Sequence, residues 1–329
     1  MARELPYIVA INEAIELEMA RDERVLYFGQ NIATPSALEP FMDAFGGDRV
    51  RLTPISETAE IGMAVGAALA GLRPVVELYM SEFLLVAMDQ VVNEAPRFHA
   101  MSGGQVKVPL VLKAGYGFTA GWAGQHTGSI YGMFMGVPGL KIALPSTAAD
   151  AKGLMATSIR DDNPVCFFHH ILLTLEHGEV PEGEYLVPFG VADVRRTGGD
   201  VTIVATGWMV DRALAAAERL AADGVEVEVI DPRTLAPLDT ATILESVAKT
   251  GHLVLVDQAT RHGGASAIIA AEVADQGFDS LRGPIKQITA LDATIPYSEP
   301  MERFVIPDED KIVAGVHEVL GSAPVAAKA

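Results

Sequence analysis

Cysteine is nearly absent from the chain, since Cys166 is the only one among 329 residues. A single cysteine excludes an internal disulfide framework and a cysteine-rich metal site, and it fits a reducing compartment. Long apolar runs are missing as well. The longest lies near residues 61–72, well short of the roughly 18 to 20 residues that span a bilayer. We therefore expect a cytoplasmic protein with no membrane partner.

Basic residues are also scarce, with 24 Lys and Arg against 43 Asp and Glu, which gives a formal net charge of −19. Such a surface repels a phosphate backbone, so nucleic acid is a poor partner. Half of the residues are hydrophobic, which is ample for a buried core. A chain of this length suits two domains, because single cores usually split above roughly 250 residues.

Short apolar runs alternate with stretches of helical spacing, and this alternation predicts parallel sheets covered by helices. In the first half the runs are 75–78, 108–112, 141–144 and 165–168. A helix is predicted over 82–95, because its apolar residues fall on one face. These residues are Leu84, Met88, Val91 and Ala95, with Leu85 and Val92 beside them. After turn residues at 197–200 the pattern restarts with a strand at 201–205.

We therefore predict an α/β protein with two open, mostly parallel sheets, each in its own domain. The predicted domains are 1–185 and 200–329, joined by a linker at 186–199. Open sheets of this kind bind ligands at the carboxyl ends of their strands. Neither half contains a G-x-G-x-x-G turn or a Walker-type loop, so the sequence carries no nucleotide-binding fingerprint.

Two residues are candidates for proton chemistry. Glu57 stands just ahead of a stretch rich in glycine and alanine. There it either interacts favourably with a helix dipole or is a partly buried carboxyl poised to share a proton. His126 lies in a glycine-rich loop at 115–128. A lone histidine is either structural or solvated, or it transfers protons near neutral pH. Both alternatives stay open on the residues alone.

Distinctive literal segments occur along nearly the whole chain. In the first half they are TPISE (53–57), GLRP (71–74), MSGG (101–104), QH (125–126), VPGLK (137–141), PST (145–147), DAKGL (150–154) and IRDDNP (159–164). In the second half they are DPRTL (231–235), PLD (237–239) and IPY (295–297). These segments resemble the beta subunit of the two-subunit 2-oxoacid dehydrogenases that use thiamine diphosphate, of the pyruvate, branched-chain and acetoin type. The resemblance implies a thiamine pyrimidine-binding domain followed by a transketolase C-terminal-like domain.

The resemblance also implies roles for individual residues. Glu57 resembles the glutamate that hydrogen-bonds a pyrimidine nitrogen of thiamine diphosphate and so helps to remove the thiazolium proton. Phe83 resembles the aromatic residue that stacks on the pyrimidine, although a Phe at this position is as readily a core residue. His126 resembles the histidine that faces the substrate and the incoming lipoyl group. A potassium-binding turn that mostly uses backbone carbonyls is implied at Leu110, Ser158, Ile159, Asp161 and Asn163.

The family holds the diphosphate through Mg²⁺ with a Gly-Asp-Gly motif, which this chain lacks. The resemblance therefore implies an alpha subunit that holds Mg²⁺ and the diphosphate, an alpha2-beta2 heterotetramer, and a lipoyl acyltransferase as a downstream partner. The chain departs from the family at 30–38, which is several residues shorter than usual, and at 79–82 and 121–122, which flank the expected substrate channel. These departures leave the identity of the substrate open.

Three functions remain under consideration. The first is oxidative decarboxylation of a 2-oxoacid, or cleavage of an acyloin such as acetoin, with acyl transfer to lipoamide. The second is a split transketolase-like subunit, which would need basic residues for sugar phosphates. The available ones are Arg97, Lys113 and Arg261. The third is a non-catalytic scaffold subunit, which would have no need for Glu57, Phe83 and His126 together.

Overall fold

The structure, a computed structural model, describes residues 2–30, 39–118 and 121–321. Most of the shortened segment, residues 31–38, lies outside the described residues. No helix in these ranges is both long and apolar enough to cross a membrane.

The first half alternates strands and helices, as its apolar runs predict. Its elements are β1 (Ala2–Pro6), α1 (Tyr7–Arg21), β2 (Val25–Gly29), α2 (Glu39–Phe45), β3 (Val50–Leu52), α3 (Glu57–Leu69), β4 (Arg73–Met80), a 3₁₀ helix (Ser81–Ala87), a π-helix (Asp89–Glu94), α4 (Phe98–Met101), β5 (Val111–Tyr116), α5 (Gly132–Met135), β6 (Lys141–Ala143), α6 (Ala148–Arg160), β7 (Val165–His170), a 3₁₀ turn (Ile171–Leu173) and β8 (His177–Pro181).

The second half repeats the alternation with fewer strands. Its elements are β9 (Asp193–Arg196), β10 (Val201–Ala205), α7 (Met209–Ala222), β11 (Val227–Asp231), β12 (Thr234–Ala236), α8 (Thr240–Thr250), β13 (Leu253–Thr260), α9 (Ala265–Gln276), a 3₁₀ turn (Phe278–Ser280), β14 (Lys286–Ala290), α10 (Glu299–Val305) and α11 (Glu309–Leu320).

The first sheet has the strand order β12-β6-β7-β5-β4-β2-β3 among the described residues. Its neighbouring strands are parallel except for β12, which runs antiparallel to β6. Every residue of β5 and of β7 is buried. That is the expected state of a central parallel strand covered on both faces. One face packs on α1 and α6, and the other packs on α3 and the second half.

The second sheet has the order β14-β13-β10-β11-β9 in the described part of the chain, with only β9 antiparallel to its neighbour. The predicted fold class, two open and mostly parallel sheets with helices, is therefore confirmed. Two short strands do not follow the predicted division into two domains. The 186–199 segment contains β9, a strand of the second sheet, whereas β12 leaves the second half and joins the edge of the first sheet.

The stretch predicted as one helix over 82–95 is helical but is not a single α-helix. It winds tightly as a 3₁₀ helix over Ser81–Ala87 and then widens into a π-helix over Asp89–Glu94. Leu84 and Val91 are buried, while Leu85 is exposed. Apolar spacing alone does not distinguish these windings, and π-segments occur frequently at functional sites.

Candidate active site

Glu57 is the first residue of α3, and its side chain is buried, with 7% of the residue exposed. The helix buries Ile61, Ala64 and Ala68 against the first sheet, and this packing fixes its starting point. No group in the described ranges hydrogen-bonds the Glu57 carboxyl. A buried carboxyl without a protein partner is costly unless another group satisfies it. Its position thus suits a ligand that offers a nitrogen or an N–H group.

The start of α3 lies against the 3₁₀ segment that carries Phe83. The Thr58 hydroxyl donates to the carbonyl of Val86 at 3.0 Å. One turn later, Gly62 faces the side chain of Gln90 in the π-helix, where an added Cβ would lie 3.7 Å from its Cγ. The two elements that carry Glu57 and Phe83 are therefore neighbours.

The structure also brings His126 to Phe83. Their ring centroids are 5.4 Å apart and their planes are nearly perpendicular. Trp122 approaches His126 edge-on at 6.4 Å and stacks on Tyr79 at 5.6 Å. Tyr79, Trp122 and His126 line an open cleft of about 290 Å³. The unusual residues at 79–82 and 121–122 thus surround the predicted histidine.

Glu82 is a site residue that sequence reasoning did not single out. Its carboxylate accepts hydrogen bonds from the backbone N–H of Gly128 and from the Ser81 hydroxyl, the latter at 3.1 Å. Burial raises the pKa of Glu82, while these hydrogen bonds and the nearby His126 act in the opposite direction. Adjacency to Phe83 was the available signal, but its N–H partner lies 46 residues away.

Glu60 is a second residue that the sequence argument missed. Only 2% of it is exposed. Its carboxylate accepts from the Thr53 hydroxyl at 2.7 Å, from the Ser56 N–H at 3.3 Å and from the Gln30 amide at 3.3 Å. It thereby ties the end of β2 and the 53–56 loop to α3, directly after Glu57. A second carboxylate one turn beyond Glu57 was the signal in the sequence.

The residues assigned to potassium lie at the amino ends of β5 and β7, opposite the edge that carries Phe83 and His126. Protein donors already use several of the oxygens. The Arg73 guanidinium donates to the carbonyls of Ile159 and Asp161 at 2.9 and 3.0 Å. The Leu110 carbonyl accepts from Val165 N–H at 2.8 Å.

Further donors reach the same turn. The Ser158 carbonyl accepts from the backbone N–H of Asp161 at 3.3 Å, and Asn163 donates to the Asp161 side chain at 2.9 Å. Within the described residues no cluster of His, Cys, Asp or Glu could hold a metal ion. The potassium assignment stays a prediction.

Lys113 was one of the cations considered for sugar phosphates. Its side chain is 3% exposed and its ammonium pairs with the carboxylate of Glu77, which also accepts from the Tyr27 hydroxyl. A buried, paired ammonium is not available to a phosphate group. The structure therefore removes one of the three basic residues that a transketolase-like substrate would need.

Each half of the chain matches a family of known proteins. Residues 3–174 match the family described as transketolase, pyrimidine binding domain, and residues 190–312 match transketolase, C-terminal domain. A solved split-gene transketolase, described as an inactive beta4 tetramer, superposes with a TM-score of 0.80 over 98% of both chains. At 20% identity this likeness shows the shared fold alone.

Relatives of known function are closer in sequence. The beta subunit of acetoin:2,6-dichlorophenolindophenol oxidoreductase of Bacillus subtilis is 42% identical over 98% of both chains. The 2-oxoisovalerate dehydrogenase subunit beta of the same organism is 38% identical over 96% of this chain and 98% of its own length. The pyruvate dehydrogenase E1 component subunit beta of Rickettsia felis is 41% identical over 94% and 96%. The chain belongs to the family of these dehydrogenase beta subunits, which join a transketolase pyrimidine-binding domain to a transketolase C-terminal domain.

Proposed function

We propose that the chain is the beta subunit of a thiamine-diphosphate-dependent dehydrogenase of the acetoin or 2-oxoacid type, which works with an alpha subunit. The observation that carries the proposal is the Glu57 carboxyl. It is buried at the start of α3, lacks a hydrogen-bond partner in the described chain, and lies beside the segment that brings Phe83 to His126. Membership in a family of dehydrogenase beta subunits supports the same function.

Three residues of the chain have separate roles in the proposed reaction. Glu57 would hold a proton between its carboxyl group and a ring nitrogen of the aminopyrimidine, because no group in the described chain hydrogen-bonds this buried acid. Phe83 would offer its ring to the pyrimidine. His126 would face the substrate and exchange a proton with it near neutral pH. When bound, thiamine diphosphate would supply a nucleophilic thiazolium carbon.

The rest of the cofactor needs another polypeptide. The chain has no Gly-Asp-Gly motif for Mg²⁺ and the diphosphate. We therefore propose that the alpha subunit holds both, in an alpha2-beta2 heterotetramer with active sites at the alpha–beta contacts. We further propose lipoamide, carried by a lipoyl acyltransferase, as the acceptor of the acyl group.

Reconstitution tests this proposal. We expect the purified chain to bind thiamine diphosphate weakly in calorimetry with Mg²⁺, and its complex with the alpha subunit to bind it tightly. In that complex, Glu57→Gln should lower hydrogen–deuterium exchange at the thiazolium carbon by about 100-fold or more, since the amide cannot share the proton in the same way. Turnover should be followed with acetoin, pyruvate and 2-oxoisovalerate.

Glu16→Gln is the matched control, because Glu16 is an exposed carboxylate on α1. This variant should exchange at the wild-type rate. Both variants should assemble with the alpha subunit, as measured by gel filtration. Tight binding by the chain alone would contradict the shared site, and normal exchange in Glu57→Gln would remove Glu57 from the mechanism.

A further inference from the structure

Glu82 connects two parts of the candidate site that are distant in sequence. It lies in the 3₁₀ helix directly before Phe83, whose ring contacts His126. Its own carboxylate binds the N–H of Gly128, two residues after His126. The segment 82–83 therefore touches the histidine loop at two points, once through an aromatic edge and once through a charge-assisted hydrogen bond.

The loop itself is closed by local bonds that do not attach it to the sheet. The Ala123 carbonyl accepts from the Thr127 hydroxyl at 2.6 Å and from the His126 N–H at 3.3 Å. These contacts shape the turn. Two anchors reach Gly128 from outside it: the Glu82 carboxylate accepts from its N–H, and the Ser81 hydroxyl donates to its carbonyl at 3.4 Å.

Gly128 fits the Glu82 anchor closely. A Cβ at position 128 would lie 2.7 Å from the Glu82 carboxylate oxygen, a distance that real side chains do not show. The absence of a side chain lets the backbone N–H approach the carboxylate directly. The pair thus depends on the length of the Glu82 side chain as well as on its accepting oxygen.

We propose that Glu82 is a positioning residue for His126: by holding the Gly128 N–H, its carboxyl group sets where the imidazole stands in the cleft with Tyr79 and Trp122. This inference rests on the proposed function and adds a residue to it. Glu82 acts through the loop and not on the substrate. Misplacement of a reacting group by about 1 Å costs on the order of 100-fold in rate, so such an anchor has a measurable effect.

Two substitutions separate the effect of the length of the Glu82 side chain from the effect of its charge. Glu82→Gln keeps the length and an oxygen that accepts from Gly128, but it removes the charge. Glu82→Asp keeps the charge and withdraws the oxygen by one methylene. We expect Glu82→Gln to retain the wild-type kcat/KM for lipoamide within about threefold, and Glu82→Asp to lose roughly 10- to 100-fold.

The measurement uses the assembled alpha–beta complex with free lipoamide as the acceptor. Thiazolium hydrogen–deuterium exchange, which depends on Glu57, should stay within about twofold of wild type in both variants. Adding Glu82→Asp to His126→Ala should cause no further loss, because the positioned group is already gone. Assembly and circular dichroism show that the variants fold.

The reverse ranking, with Glu82→Asp active and Glu82→Gln impaired, would overturn the proposal in favour of a charge effect. So would equal activity of both variants, an additive loss on top of His126→Ala, or an equal fall in thiazolium exchange. A wild-type complex that shows neither exchange nor turnover would instead refute the proposed function itself.

Discussion

The seven-stranded first sheet and the five-stranded second sheet are built alike, but they use the carboxyl ends of their strands differently. In the first sheet this edge carries Gln30 after β2 and the Glu82–Phe83 segment after β4, and His126 lies in the loop beyond β5. His126 lines the open cleft, and the Oε1 atom of Gln30 has no hydrogen-bond partner among the described residues. In the second sheet the corresponding edge binds the first half of the chain.

Three buried hydrogen bonds among the described residues illustrate this seam, the boundary where the carboxyl end of the second sheet meets the first half of the chain. Asp257 in β13 accepts from the Tyr131 hydroxyl, and Asp231 at the end of β11 accepts from the Ser146 hydroxyl. The third contact joins His170 to the side chain of Gln258 at 2.6 Å. Since Nδ1 of His170 accepts from Leu172 N–H, its Nε2 is the donor to Gln258.

Open parallel sheets generally bind ligands at the carboxyl ends of their strands. In the second half, those ends are occupied by protein side chains. We infer that the first edge serves chemistry and the second serves docking of the halves, so substitutions at the two edges should affect different properties.

The largest expected effect is at the seam. Asp257 is fully buried and accepts four hydrogen bonds, from the hydroxyls of Tyr131 and Thr206 and from the backbone N–H groups of Ala259 and Ser266. Asp257→Ala leaves these donors unpaired. We expect the free energy of unfolding to fall by about 3–5 kcal/mol. Urea unfolding measures this loss.

The Asp257→Ala variant also tests whether the two sheet edges have different roles. Any alpha–beta complex that this variant still forms should exchange the thiazolium proton at the wild-type rate per active site. Asp275→Asn serves as a control, because Asp275 is an exposed carboxylate on the neighbouring α9. A loss of exchange as large as the loss of stability would place Asp257 in the catalytic site and end the contrast.

A smaller, pH-dependent effect is expected at Asp231. Burial, with Asp150 nearby, raises the pKa of Asp231 from 3.8 to about 7, against the hydrogen bonds from Ser146 and Arg233. Between pH 4 and 7 the folded chain thus keeps a proton that the unfolded chain releases. Asp231 therefore makes the free energy of unfolding fall as pH rises through this window, by up to roughly 4 kcal/mol.

Asp231→Asn removes this dependence, because the amide stays neutral and can still bond Ser146 and Arg233. We expect the stability of the variant over wild type to grow as the pH rises from 5 to 8, as measured by urea midpoints across that range. Other titrating groups contribute equally to both proteins and cancel in the difference. Parallel pH profiles for the two proteins would show that Asp231 is already ionised in the fold.

Much of the fold was predictable from local patterns. The apolar runs at 75–78 and 165–168 lie within β4 and β7, and the strand predicted at 201–205 matches β10. β12 was not predicted, because three residues carry no periodicity and its pairing partner β6 lies about 90 residues earlier. Pairing across that separation is decided by tertiary packing.

The candidate site, like the fold, was predictable only in part from the sequence. Glu57 and His126 were singled out because each stands in a recognisable segment, and the structure adds the Phe83–His126 contact. Glu60 and Glu82 were missed because a carboxylate in a sequence resembles a surface residue. Only the folded chain shows the distant donors that each one accepts from, Gln30 and Gly128 among them.

The smallest expected effect on stability is at the carboxyl edge of the first sheet, where a substitution should affect the chemistry more than the fold. The Thr53 hydroxyl is one of three donors to Glu60, which fastens the loop ahead of Glu57. Thr53→Val keeps the shape and removes that bond, so unfolding should become easier by only about 1 kcal/mol. Loosening the loop should nevertheless slow thiazolium exchange by roughly tenfold, because Glu57 loses its fixed position. Thr53→Ser retains the hydroxyl and should exchange at nearly the wild-type rate; if both variants exchange normally, the Glu60 network supports the fold and not the chemistry.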